Sequence, residues 1–538
     1  MAAMRQRALR AAGVVLAAML LASGGVALAV HNLANAGMWW DESAQFWVSQ
    51  GLSNYSPPFA ERRSLRDVVR ANCRENLDPG GFSLLLHAWT ALGRGLTWLR
   101  ALPFAFLLLA AAALGALGWR LTRSVCFALA AGSVPAMFPA VLYFGFEIRA
   151  YSMEMAGIAV GALALVYALE RPSPGRAAAL GVVCAAFLSS RYSFALFVVA
   201  LACAFAAAVV RGPAGAKMRW RRLAALLLPI AAAAALGWRV TLRHQWWPEM
   251  RSAPLGVGSP AYTRGSVLGH SGHDAALLGR NLASLPALPL TVCALYVALA
   301  RRRLWTRVAG PAPDAPAERA RRIFSALYAA ILGTVAASVV ASLLGVYPWD
   351  IASRWSAYLV MVAALAVVVV AAEAVALGRI ALERRPAAAA VARRAAAALA
   401  FAVVAAASAH ALAYRYVVRD PHRAGVAAQI DRLPVASLRD RSVFVRFYQA
   451  PVLRYLYEYG PYAGRGEYPA SFRFETPQEW WAKAPVDAAR DGIAFVVGEP
   501  PLAGVQARFP GATLLLAEPA GSSLLAVVPS GAGGPGGR

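Results

Sequence analysis

Recurrent long apolar runs constrain this chain more than any other feature. Segments 11–30, 100–119, 126–145, 153–169, 177–190, 194–210, 223–238, 284–300, 323–344, 356–377 and 395–414 approach or reach the roughly 20 residues an α-helix needs to cross a bilayer. Of the 538 residues, 59% are hydrophobic and only 15% charged, which is too apolar for a water-soluble globular chain. The expected fold class is membrane all-α, a polytopic bundle of about eleven transmembrane helices.

A formal charge of +26 invites a nucleic-acid partner, but its distribution argues for no nucleic acid. The basic residues fall in short clusters between apolar runs, as the positive-inside bias produces. Arg5/Arg7/Arg10, Arg120/Arg123, Arg171/Arg176, Arg219/Arg221/Arg222, Arg301–Arg303 and Arg393/Arg394 alternate consistently with the runs. The N-terminus is therefore expected in the cytoplasm and, after an odd number of spans, the C-terminus outside. Arg5, Arg7 and Arg10 ahead of a run ending Ala27-Leu28-Ala29 resemble a signal peptide. Because further spans follow, the run is read as a retained first helix. Loops 31–99 and 239–283, expected outside, break the bias with arginines such as Arg62, Arg70, Arg74 and Arg243. Long loops cross regardless of charge; the other meaning of these arginines is an external surface that handles anions. The five cysteines have no metal-ligand spacing, and only Cys73 is expected outside, so no disulfide framework follows.

Three domains are expected: 1–414 spanning the membrane, 415–528 as a small external α/β domain, and a disordered Gly/Pro tail at 529–538. The long external loop 31–99 is expected to carry structure of its own, with a helix over 82–98 lying along the interface after the Asp78-Pro79-Gly80-Gly81 break. From about 415 the short apolar runs 443–445, 493–497, 513–516 and 524–528 read as strands, the last two as a hairpin, with helical segments at 422–432 and 477–489.

The chemistry-bearing residues gather on the expected external side. Asp41 and Glu42 stand among Trp39, Trp40, Phe46 and Trp47 just after the first run. An interfacial aromatic belt accounts for the tryptophans but not for the acid pair, which looks like an acid site in an aromatic-lined pocket. Tyr143 through Tyr151 carries Glu147 and Arg149 at a helix end, where ionisable residues are functional hypotheses; a plain Glu–Arg ion pair pinning a turn is the bland alternative. Arg354, within Tyr347 through Trp355, suits phosphate clamping or simple interfacial anchoring, and Arg191 with Tyr192 is placed similarly. An acid, several arginines and an aromatic surround suit transfer from a lipid-phosphate donor, with arginines steadying the leaving phosphate and a carboxylate taking the acceptor's proton.

These features, in this order, resemble the GT-C superfamily of integral-membrane glycosyltransferases, in the branch of the protein O-mannosyltransferases, the aminoarabinose transferase and the lipopolysaccharide-core transferases. Trp40-Asp41-Glu42 matches the superfamily's Asp-Glu motif in the first external loop. Asn76 through Phe82 and Leu99-Arg100-Ala101-Leu102-Pro103 resemble its His-Pro-Pro-Leu-Tyr and Arg-Leu-Pro elements, although Asp78-Pro79-Gly80 departs from the former. Tyr143 through Tyr151 matches Tyr-x-x-x-Glu-x-Arg-x-Tyr, and Ser353-Arg354-Trp355 resembles a late Arg-Tyr-Leu. The resemblance covers residues 1–414 and implies a polyprenyl-phosphate sugar donor, a glycan, lipid or protein acceptor, and inversion on the periplasmic face of a bacterial inner membrane. It implies Asp41 as the base, Glu42 orienting the site, Arg149, Tyr151 and Arg354 toward the donor phosphate, and Glu147 holding Arg149; Arg191 joins the expected phosphate contacts by its placement alone. No cofactor is implied, a divalent cation at Asp41 and Glu42 being the less favoured option. A flippase of lipid-linked sugars would want broken helices in two related halves, and neither repeats nor midplane charges stand out. A membrane acyl or phosphoethanolamine transferase would need a metal site, for which His270, Ser271, His273 and Asp274 are the one thin candidate.

Overall fold

A computed structural model describes residues 2–33, 38–53, 60–76, 78–212, 215–245, 287–310, 314–343, 357–382, 386–416, 442–445, 450–459, 471–473, 493–496, 513–517 and 524–528. Seven helices among them are long and apolar enough to cross a membrane, or eight if one sharply bent pair counts as a span, so the chain is a multi-pass membrane protein. The bent pair is Val125–Met137 with Pro139–Phe146, meeting at 76°. Its cause is local. Pro135 and Pro139 each lack an N–H, and a short 3₁₀ turn over Val134–Met137 takes up the break. The expected runs 177–190 and 194–210 form apolar helices of only 15 and 17 residues, α9 (Pro174–Leu188) and α10 (Phe194–Val210).

The chain divides into two compact units. The first comprises Met1–Asn32, Leu77–Phe82 and Ala101–Arg415. In it α8 (Tyr151–Glu170) packs on α9, α10 and the Ala357–Leu382 helix, α9 packs on α11 (Ala216–Gly237), and α1 (Ala2–Asn32) packs on the Pro386–Ala413 helix. Small residues permit this closeness: Ala17, Ala130, Ala400 and Val404 form one buried knot. The helix Ala287–Leu295 runs through a π turn at Tyr296–Ala300 into Arg301–Ala309. It is pinned by the buried Glu373, which accepts from Arg301 Nε (2.8 Å), Trp305 Nε1 (2.6 Å) and the Tyr296 hydroxyl (3.0 Å).

The second unit comprises Leu33–Asn76, Ser83–Arg100 and Tyr416–Arg538. It holds α2 (Trp40–Ser49), α3 (Leu65–Glu75), most of α4 (Gly81–Trp89), a helix over Ala450–Glu458, and a five-stranded sheet. The sheet comprises β1 (Ser442–Val445), β2 (Ser471–Arg473), β3 (Ile493–Val496), β4 (Thr513–Ala517) and β5 (Leu524–Val528), ordered β2-β1-β3-β5-β4. β1 runs parallel to β2 and β3, while β5 is antiparallel to β3 and β4, with an irregularity between Leu514 and Leu516. The segments 422–432 and 477–489 lie outside the described residues. The single helix expected over 82–98 is instead two: α4 ends at Trp89 and α5 (Leu96–Thr122) begins after a turn. The Trp89 and Trp98 indoles stack at 4.4 Å, and each donates its N–H to the other residue's carbonyl, at 2.7 and 3.0 Å. That closed pairing rewards a turn more than one continuous face.

Candidate active site

Two clusters of ionisable side chains, one in each unit, carry the candidate chemistry. The first opens α2. Trp39 is the extended residue before the helix, with φ −111° and ψ 174°. Asp41 and Glu42 fall in the first turn, where the backbone N–H groups and the helix dipole favour negative charge. The Glu42 carboxylate accepts from the Trp39 N–H at 3.3 Å, closing the turn from its third position. Both acids are buried, Asp41 at 3% exposure and Glu42 at 0%.

A buried carboxylate needs a partner, and Glu42 has Arg100. The guanidinium donates through Nη2 to Oε2 at 2.9 Å and through Nε to Oε1 at 3.3 Å, with both side chains fully buried. This fork-on-fork contact fixes the carboxylate plane as well as its charge. Arg100 also lies over the Tyr416 ring, 4.9 Å from its centroid. Arg100 was legible as part of an Arg-Leu-Pro-like element, but its partner was not.

Two of the four aromatic neighbours, Phe46 and Trp47, pack against another helix. Phe46 and Trp47 are both fully buried. Phe46 meets Tyr455 edge-on at 5.0 Å, Trp47 donates to the Pro451 carbonyl at 2.9 Å, and the Arg454 guanidinium sits 3.7 Å from the Trp47 ring centroid. They tie α2 to the Ala450–Glu458 helix. A polar network completes the mount: Gln45 donates to Ser83 at 2.7 Å, Ser83 to Asn72 at 2.8 Å, and Asn76 to Gln45 at 3.2 Å.

The second cluster lies in the other unit, where α7 (Pro139–Phe146) ends and α8 begins at Tyr151. The intervening turn carries Glu147, buried at 1% exposure, and Arg149, whose N–H donates to the Glu147 carbonyl at 2.6 Å. The Arg149 guanidinium reaches Asp78 Oδ2 at 3.9 Å. Arg191 lies at the centre: its Nε is 3.5 Å from Asp78 Oδ1, its Nη1 donates to Glu154 at 3.2 Å, and its guanidinium sits 4.4 Å from the Tyr151 ring centroid. Ser193 also donates to Glu154. The formal charges of Arg149, Arg191, Asp78 and Glu154 cancel.

Two glycines bring Asp78 there. Gly80 has φ +93°, a left-handed conformation that a side chain resists. Gly81 donates its N–H to the Ser189 carbonyl at 2.9 Å, and a Cβ on it would lie 2.6 Å from that oxygen. From the other side Gln245 donates to the Asp78 carbonyl at 3.0 Å and accepts from the Tyr192 hydroxyl at 2.5 Å.

The structure thus brings Arg149, Arg191 and Tyr151 together, with Glu147 in the same turn, and sets Asp41 with Glu42 on α2. Arg354 and the 270–274 cluster lie outside the described residues. Sequence reasoning missed Glu154 and the role of Asp78. Glu154 had a signal, as an acid one turn inside an apolar run. Asp78 had registered only as part of a chain break. Among the described residues no group of three or more His, Cys, Asp or Glu side chains is disposed to hold a metal.

No protein-family model matches the sequence, and no curated protein matches it. Solved structures similar to this chain include those of an ArnT and of an oligosaccharyltransferase. One is ArnT from Cupriavidus metallidurans bound to undecaprenyl phosphate, with a TM-score of 0.44, 12% identity and coverage of 97% of this chain and 99% of that one. The same protein in the apo state gives a TM-score of 0.41 at 13% identity, covering 99% and 100% of the two chains. The Archaeoglobus fulgidus oligosaccharyltransferase gives 0.40 at 10% identity, covering 82% of this chain and 61% of that one.

Proposed function

We propose that this chain is an integral-membrane glycosyltransferase that moves a sugar from a polyprenyl-phosphate donor to an acceptor hydroxyl on the external face of a bacterial inner membrane. The observation that carries the reading is the buried acid pair at the start of α2, with Glu42 locked by Arg100. A multi-pass chain has little reason to bury two adjacent carboxylates unless one is structural and the other is used. Glu42 is the structural member. Its oxygens are held by Arg100 and the Trp39 N–H, so no metal is assigned to the pair.

Asp41 is the base in this reading. Its carboxylate takes the proton from the acceptor hydroxyl as that oxygen forms a bond to the anomeric carbon. The bond from that carbon to the phosphate oxygen breaks on the opposite face, and the phosphate leaves with the electron pair. In-line displacement inverts the anomeric centre. Arg149 and Arg191 are assigned to the leaving phosphate, whose growing charge two guanidiniums stabilise. Asp78 already engages both, so donor phosphate must compete with it. Arg354 and Tyr151 are further donor contacts implied by the motif resemblance.

The test compares wild type with Asp41→Asn in membranes holding a radiolabelled polyprenyl-phosphate sugar pool. Asn keeps the size and a hydrogen bond but removes the base. Transfer is expected to fall by a factor on the order of 10²–10⁴, the usual worth of a positioned base, with donor binding retained. Unchanged transfer rules the mechanism out. Movement of label across the bilayer without transfer by either protein replaces it with a transporter.

A further inference from the structure

The second unit contains a cavity of about 400 Å³ lined by Ala60, Glu61, Arg62, Arg94, Glu458 and Tyr459. It is large enough for a small organic ligand, and the proposed reaction assigns none of these residues. Arg94 donates through Nη1 to the Tyr459 hydroxyl at 2.8 Å, and its guanidinium lies 5.0 Å from that ring's centroid. Its backbone is fixed too, because the buried Tyr455 hydroxyl donates to the Arg94 carbonyl at 2.7 Å. Arg62 donates through Nη2 to the His87 carbonyl at 2.5 Å, and its Nε faces the His87 ring. Among the described residues neither guanidinium is in an ion pair. Of the two carboxylates in the lining, that of Glu458 is engaged by Arg454 Nε at 2.7 Å.

Arg62 and Arg94 therefore share one half-buried cleft and feel each other. Burial, and then the Arg94 charge, hold the Arg62 guanidinium below the ordinary arginine range. Glu458 is taken by Arg454 and the exposed Glu61 pairs with neither guanidinium among the described residues, so the two like charges cost free energy that a bound anion would relieve. Guanidinium forks suit phosphate and carboxylate oxygens. The remaining lining is of another kind: a phenol ring and two carboxylates, groups that meet hydroxyls and C–H faces rather than a bare anion.

We infer that this cleft binds a sugar bearing a phosphate monoester, and that it seats the acceptor of the transfer reaction. The second half of that statement rests on the glycosyltransferase reading. The cleft lies in the part of the chain where an excess of external arginines already stood against the charge bias.

The test is equilibrium binding of glucose 6-phosphate to the full-length protein in zwitterionic nanodiscs, with glucose and inorganic phosphate as comparators. Glucose 6-phosphate is expected to bind saturably and more tightly than either comparator. Arg94→Gln and Arg62→Gln are each expected to weaken it at least tenfold, and Arg94→Lys to weaken it less. Unfolding midpoints of the variants separate lost binding from lost fold. Absence of binding, equal binding of glucose, or undiminished binding by the Arg62→Gln/Arg94→Gln protein each overturns the proposal. So does arginine-dependent blockade by phosphatidylglycerol in the nanodiscs, which makes the occupant a lipid headgroup. Should transfer survive in Asp41→Asn while arginine-dependent sugar-phosphate binding persists, the anion site stands and only its acceptor role falls.

Discussion

Glu42 and Arg100 are both fully buried, so their ion pair matters most when it is broken. Removing one partner strands a charge in an apolar setting, which costs about 3–5 kcal/mol, whereas removing both costs much less. Arg100→Met is therefore expected to lower the unfolding midpoint sharply, and Glu42→Gln/Arg100→Met to regain part of the loss. A thermal double-mutant cycle in detergent measures this; additive losses would mean the pair is not coupled. Asp78 makes the opposite prediction. It holds Arg149 and Arg191 at 3.9 and 3.5 Å, loosely enough to yield to a better anion. Asp78→Asn keeps an acceptor there but removes the competing charge, so the KM for donor is expected to fall several-fold with kcat little changed. A raised KM would make Asp78 a part of the phosphate site rather than its rival. At this scale the sequence showed which residues carry charge but not who pairs with whom. Glu42 and Arg100 are 58 positions apart, and Asp78 and Arg191 are 113 apart. No local pattern encodes such meetings.

Elements were legible where their cause is local. Length and hydropathy marked seven of the eleven expected spans among the described residues, or eight with the bent pair; the run at 126–145 was read as one span, and the 76° bend that Pro135 and Pro139 cause in it was not. Elements that depend on distant partners were not. The turn after Trp89 follows from the Trp89–Trp98 stack, and the nine-residue Ala450–Glu458 helix owes its place to Trp47 and Phe46. A helix that short gains little from propensity alone. The loop carrying Asp78 is the element on which the second cluster depends, and Gly81 is its tightest point. A valine at Gly81 meets Ser189 directly, so the loop must move and take Asp78 with it. Gly81→Val is expected to impair transfer more than tenfold while the apolar helices still insert. Full activity with normal donor KM would show that the loop does not position the cluster. Gly80→Ala is milder, since a left-handed residue with a Cβ costs about 1–2 kcal/mol.

At the scale of the molecule, the seven long apolar helices among the described residues put the chain in a membrane, while the sidedness rests on charge bias alone. That bias is uneven, because loop 31–99 carries arginines on the side expected to be external. Sidedness decides the chemistry. An external site meets lipid-linked sugars, whereas a cytoplasmic one meets nucleotide sugars, for which the chain has no glycine-rich phosphate loop. Two exposed side chains provide the test: Leu92, at 76% exposure in the turn between α4 and α5, and Trp220, at 71% exposure among the basic residues that begin α11. Each is replaced by cysteine in a chain whose five native cysteines are changed to serine or alanine. Leu92→Cys is expected to react with a membrane-impermeant maleimide in intact spheroplasts, and Trp220→Cys only after the membrane is opened. The reverse pattern would put the Asp41 loop in the cytoplasm and remove the polyprenyl-phosphate donor from reach. Labelling of both from outside would mean an even number of crossings between them, against the three expected from the runs at 100–119, 126–145 and 153–169 and the two at 177–190 and 194–210 that follow.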